Sequence, residues 1–191
     1  MATNDAATLK VGNARFYTAV VGTPRPIGAA ALKNPASPWT EVGNTSLDNI
    51  IALTSEGGTV TTLGSLQNRS LRQNVDSRTE SFGINLLEWT ARSLKYYYGS
   101  NAIVAEDGAV EVPSEPIPTE EAFLVVMEDG ENIAGFYATK SSIFRSDDIA
   151  IADSNSLAQL PIKVTALNHQ GKPSALTVIP PIGNGPADVT P

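Results

Sequence analysis

The clearest periodicity in the chain lies at residues 78–86. Glu80, Phe82, Ile84 and Leu86 alternate there with Thr79, Ser81, Gly83 and Asn85. A period of two puts the sets on opposite faces of a strand, one packed on a core and one, small and polar, facing water or another subunit. Residues 66–75 read as its partner, joined to it around Asp76-Ser77. Residues 14–21 are rich in β-branched and aromatic side chains and end at Gly22, a further strand. Pro24, Pro26, Pro35 and Pro38 make residues 23–38 a loop, since each proline removes a ladder donor. Strands are also expected at residues 39–47 and 59–63. The Gly57-Gly58 pair before the latter predicts a tight turn or a mobile loop tip.

Only residues 88–98 read as a helix, with Leu87, Ala91, Leu94 and Tyr98 along one side and Gly99 as its C-cap. It should lie on the outside of a sheet. Beyond it, Asp107-Gly108 and Asp129-Gly130 each separate apolar runs, a strong hairpin signal. Residues 157–167 and 174–179 predict a last hairpin around Asn168-His169-Gln170-Gly171. The expected organisation is one domain over residues 1–179, followed by a flexible Pro/Gly-rich tail at 180–191. Short strands separated by turns give a mainly β fold, a β-sandwich or open barrel with one flanking α-helix.

Composition narrows the function. The chain has 191 residues, no cysteine, one histidine and a formal charge of -7. Net negative charge opposes ordinary nucleic-acid binding. The absence of cysteine excludes disulfides and thiolate metal centres. Residues 1–9 lack the pattern of a signal peptide, and no apolar run is long enough to span a bilayer, so synthesis in a cytoplasm with no membrane contact is expected. His169 is the sole imidazole and reads as an exposed turn residue, so a Ser-His-Asp triad is hard to build. Asp147, Asp148 and Asp153 lack calcium-loop spacing, and no phosphate-binding or nucleophile-elbow motif occurs. No cofactor, metal or catalytic residue is therefore expected. A hydrolase using two carboxylates leaves no fixed spacing and stays open as an alternative.

Charge is unevenly spread. No Lys or Arg lies between Lys95 and Lys140, where Glu106, Asp107, Glu111, Glu115, Glu120, Glu121, Glu128, Asp129 and Glu131 fall, whereas Arg69, Arg72 and Arg78 cluster upstream. These are either two solvated faces or complementary patches that meet across a subunit boundary.

The segment SEGGTVTTLGSLQNRSLRQNVDSRTESFGINLLEWTARSLKYYYGSN (residues 55–101) resembles the major tail tube protein of long-tailed siphophages, especially those of actinobacterial hosts. NARFYTAVVGTPRP (13–26) and WTEVGNTSLDN (39–49) resemble it in order and spacing. The resemblance implies a β-sandwich with a flanking helix and hexameric rings whose sheets join into an inner barrel. It implies that the rings stack into a tube around a tape measure protein, between a distal tail complex and a terminator. DNA would pass through the lumen without specific binding, and a long loop near the early strands would reach the neighbouring ring. On this view Ile50, Ile51, Glu56, Gly57, Gly58, Arg69, Arg72, Arg78 and Glu80 are assembly-interface candidates. The lumen should be neutral or negative, with the arginines turned toward carboxylates at subunit contacts. A carbohydrate- or receptor-binding sandwich on a virion is the other alternative, although Tyr96, Tyr97 and Tyr98 in a helix make a poor aromatic platform.

Overall fold

The computed structural model describes residues 8–47, 50–149, 151, 154–172 and 174–183. Its elements in chain order are β1 (Asn13–Ala19), α1 (Ala29–Lys33), β2 (Thr40–Glu41), β3 (Ala52–Gly57), β4 (Val60–Leu63), β5 (Arg72–Val75) and β6 (Arg78–Leu86). There follow α2 (Ala91–Tyr98), β7 (Ile103–Val104), β8 (Val110–Glu111), β9 (Thr119–Asp129), β10 (Asn132–Arg145), β11 (Leu160–Ala166) and β12 (Thr177–Ile182). The fold is mainly β, with antiparallel sheets and two short helices.

An eight-stranded sheet runs β2-β1-β9-β10-β11-β6-β3, with β12 also paired to β10. The Asp129-Gly130 turn joins its two longest strands as expected, β9 to β10. Along β10 the register with β9 shifts between Ala138 and Ser141. Before that irregularity β10 pairs with β12, and after it with β11. A bulge bends a strand and strengthens its twist, so β10 passes from one layer to the other. The layers then meet as a sandwich. Phe82 of β6 packs 5.9 Å from Phe123 of β9 and 5.5 Å from Phe136 of β10, ring centre to ring centre.

Strand β9 explains why there are two cores. Phe123, Val125 and Met127 face the cluster containing Phe82, Ile84, Leu160, Ile162 and Val164. Ala122, Leu124 and Val126 face the other way, onto Tyr17, Leu32, Trp39 and Tyr137. A strand covered on both faces reads as a continuous apolar run, which is what residues 122–127 are. Helix α1 closes the second cluster through Ala29 and Leu32.

Helix α2 covers the first cluster. Thr90 caps it, its Oγ1 accepting from the Ser93 amide at 3.2 Å, and Gly99 ends it at φ 114°. The helix starts later than residue 88, and its buried positions are Ser93, Tyr96 and Tyr97. Ala91 is exposed, and Leu94 and Tyr98 only half-buried. The leucine stripe lost to the tyrosines because their hydroxyls find partners in the protein. Tyr97 donates to the Asp147 carbonyl at 2.8 Å. Tyr96 donates to Glu121 Oε2 at 2.8 Å and accepts from Arg92 Nε at 2.8 Å, with Thr18 Oγ1 2.9 Å away. Burial, then the Glu121 charge, pushes the Tyr96 phenol up to about 12.

Other expectations change as well. The loop at 23–38 contains α1. Of residues 39–47, only Thr40–Glu41 form a strand, with Thr45 bridged to Leu86. Strand β5 pairs with β4, so residues 66–75 are not the partner of β6. Gly57-Gly58 is not a loop tip, as shown below. Strand β12 pairs with β10 and not with β11, so the last two strands do not form a hairpin. Pro180, Pro181 and Ile182 complete β12, while residues 184–191 of the expected tail lie outside the described residues.

Candidate assembly surfaces

Strands β3 to β6 build one long arm. Gly57 of β3 lies opposite Arg78 of β6, and Val60 of β4 opposite Val75 of β5. Between these ladders, the Gly58 amide donates to the Ser77 carbonyl at 3.3 Å and the Asp76 amide to the Thr59 carbonyl at 3.0 Å. The two strands thus run on past Gly57-Gly58 and Asp76-Ser77, which form a paired kink midway along. The reversal comes at residues 64–71, where the Leu71 amide donates to the Leu63 carbonyl at 3.0 Å. Glycine is required at the kink. Gly57 and Gly58 have φ of 93° and 71°, and a Cβ on Gly57 would sit 2.5 Å from the Ser77 carbonyl oxygen.

Every residue of β3, β4 and β5 is exposed. Leu53, Val60, Leu63, Leu66, Leu71 and Val75 all present apolar side chains to solvent, Leu66 almost entirely at 99%. Contiguous exposed apolar surface is uncommon on a monomeric domain. Arg69 and Arg72 stand on its outer part, where residues 57–75 hold no carboxylate. Arg78, at its base, already has a carboxylate in its own chain, Glu80 at 3.9 Å, and Glu80 also accepts from Ser55 at 2.9 Å. Of the other candidates, Glu56 is paired with Lys163 at 3.1 Å, and Ile51 packs against the chain's own core. Ile50 is half-buried beside residues 43–47 in a cleft of about 300 Å³.

A second surface is the face of β3-β6-β11-β10 turned away from the core. Register places Thr54, Ser81, Thr165 and Ser142 in one row, Ser81 itself being buried, and Ala52, Gly83, Lys163 and Phe144 in the next. Apart from Phe144, this face is small or polar. Its lysine is neutralised by Glu56, and nearby Lys140 by Glu120 at 2.8 Å.

The acidic stretch divides in two. Glu120, Glu121 and Glu128 are engaged within the chain, Glu128 lying 3.7 Å from Arg15 and 3.5 Å from Lys33. Glu106, Asp107, Glu111 and Glu115 stand on the insertion between α2 and β9. Among the described residues, neither these four nor Arg69 and Arg72 take part in an ion pair. Asp147 and Asp148 border a cavity of about 370 Å³ with Asn85, Gln159 and Pro161. Asp153 lies outside the described residues. His169 is half-buried, its Nε2 facing Gly22.

The model of the phage tail tube protein family matches residues 1–181. The major tail protein Gp23 of Mycobacterium phage L5 is 33% identical over 180 residues, covering 89% of each chain. The protein of the same name from Mycobacterium phage D29 is also 33% identical, with the same coverage.

Proposed function

The chain belongs to the phage tail tube protein family, and from that premise we propose how its surfaces build a tube. It is a virion structural protein, a subunit that self-assembles into the tail tube. In our reading six copies form a ring and rings stack. A heterologous contact that closes makes the ring, and its repetition along the axis makes the tube. The arm carries this reading. It exposes a run of apolar side chains that a free monomer has no use for, and it extends a sheet edge that needs a partner. Residues 50–80, with Ile50, Ile51, Glu56, Gly57, Gly58, Arg69, Arg72, Arg78 and Glu80, therefore belong to the contact between subunits or rings.

The face bearing Thr54, Thr165 and Ser142 lines the bore, with Phe144 at its rim by the foot of the insertion, and α2 lies outside it. A wall of hydroxyls with its lysines paired offers DNA phosphates no free cation to hold. Genome passage without specific binding follows. The tube would meet a tape measure protein inside, and distal tail and terminator proteins at its ends. The building unit runs past residue 179 to Ile182, the end of β12. Assembly takes place in the host cytoplasm, with no catalytic turnover and no cofactor. Burial of Tyr96 and Tyr97 tells against an aromatic platform for sugars.

Negative-stain microscopy of the purified full-length protein at high concentration tests this. Rings or hollow fibres with six-fold end views are expected. A protein that stays monomeric at every concentration, in the presence of its companion tail proteins, would defeat the reading.

A further inference from the structure

We propose that the arm of one copy is received by the insertion between α2 and β9 of another, with Leu66 and its neighbours seated in the groove beside β8. This rests on the tube reading and names the receiving surface that it leaves open.

The insertion, residues 99–118, is the arm's counterpart in three respects. It is exposed and apolar, showing Ile103, Val104, Val112 and Ile117 to solvent. It carries Glu106, Asp107, Glu111 and Glu115 with no Lys or Arg, whereas the outer arm carries Arg69 and Arg72 with no Asp or Glu. Moreover, β7 and β8 pair with each other in a sheet of their own, as β4 and β5 do. Their principal contacts, among the described residues, are with their hairpin partners. Two unsupported hairpins of opposite charge in one chain are satisfied together when copies meet.

The groove supplies a seat. Tyr98, Val112, Pro113, Pro116 and Phe144 line an open cleft of about 190 Å³ at the foot of the insertion, with Arg145 and Ser114 at its edge. The carboxylates that meet the arm's arginines are therefore those of the insertion and not of the cleft itself. By volume the cleft has room for a leucine side chain, which would lie against the Tyr98, Val112, Pro113, Pro116 and Phe144 wall. Leu66, at the arm's reversal, is the most exposed large apolar residue described. Glu111 and Glu115 flank Val112–Ser114 in sequence, and Arg69 and Arg72 follow Leu66 by three and six residues. A leucine in the cleft would bring guanidinium forks near carboxylates at a rim shielded from water, where such pairs set register and partner choice. The insertion is rigid enough to receive. The Ile117 amide donates to Asn101 Oδ1 at 2.9 Å, and Asn101 Nδ2 to the Glu115 carbonyl at 2.9 Å, tying the loop across its base.

The chain has no cysteine, so disulfide trapping reads one pair cleanly. Leu66→Cys and Val112→Cys proteins are made separately, mixed, assembled and oxidised. Both positions are exposed, so folding should survive. A heterodimeric cross-link that appears only in assembled material is expected. Independently, Arg69→Glu/Arg72→Glu should raise the concentration needed for assembly by about tenfold or more. Glu111→Lys/Glu115→Lys should do the same, and mixing the two variants should restore assembly. Tubes that form normally while giving neither cross-link nor charge rescue would overturn this docking and leave the tube reading intact. Failure of the unmodified protein to form tubes at all would overturn both.

Discussion

Replacing Gly57 by alanine should separate assembly from folding. The residue sits at φ 93°, and an added Cβ would come 2.5 Å from the Ser77 carbonyl oxygen. A side chain in the positive-φ region costs about 1–2 kcal/mol. Relieving the clash also requires the strands to part, which endangers the 3.3 Å bond from Gly58 to Ser77 and the 3.0 Å bond from Asp76 to Thr59. Each is worth about 0.5–1.5 kcal/mol. The sum, about 2–5 kcal/mol, falls on the arm alone, because β3, β4 and β5 bury no side chain in their own chain. The expected result is a melting transition within a degree or two of the parent, measured by circular dichroism. Amide exchange at residues 59–75 should be faster, and sedimentation should show tubes largely lost. A melting temperature lowered as far as by a core truncation would show that the arm supports the domain. Normal tubes would show that its kink does not matter. Either result refutes the reasoning.

Phe82→Ala should cost about 3–5 kcal/mol in denaturant unfolding, because Phe82 is 1% exposed and touches rings from two other strands; a loss under 1 kcal/mol would remove it from the junction of the layers. Tyr96→Phe should reduce alkaline destabilisation. The native phenol is held near 12 against an ordinary 10.0, so the unfolded chain ionises first as pH rises above 10, and about 2–3 kcal/mol is lost by pH 12. Parent and variant compared in urea between pH 8 and 11 should converge, and parallel curves would contradict the assignment. Thr54→Lys/Thr165→Lys should make tubes retain DNA, with a retention that weakens steeply with salt; unchanged behaviour toward DNA would place that face away from the bore.

What could be read from the sequence was what a buried face writes into it. The alternation of Phe82, Ile84 and Leu86 gave β6 its orientation because a one-residue slip would turn all three to solvent. Turn chemistry gave the β7-β8 and β9-β10 hairpins through their Asp-Gly pairs. Partner choice was less visible. Sequential strands usually pair, which favoured β11 with β12, yet β10 is long enough to hold β12 along one half and β11 along the other. Nothing in residues 174–182 marks that choice. Helix α1, five residues between prolines, falls below the length at which local propensity speaks. It exists because Ala29 and Leu32 complete the second cluster.

The arm was misread for a different reason, and that reason bears on function. Asp76-Ser77 and Gly57-Gly58 each look like the end of a hairpin, and each would be one if the chain folded for its own benefit. They lie instead opposite one another in a longer ribbon whose outer half touches no core. A two-stranded ribbon alone is marginal in water, and this one adds the hazard of exposed leucines beside open edges. Local rules are broken where a structure serves something beyond its own stability. Here the break lies in the ribbon, since β1, β6, β9, β10 and β11 bury a complete core without it. The domain can therefore fold as a monomer, and on the proposed reading the arm then docks on another copy. Arg69 and Arg72, the only charges on its outer part, oppose one arm pairing with another and favour an acidic receiver. A tube that must grow end to end, and not clump, needs that order of events.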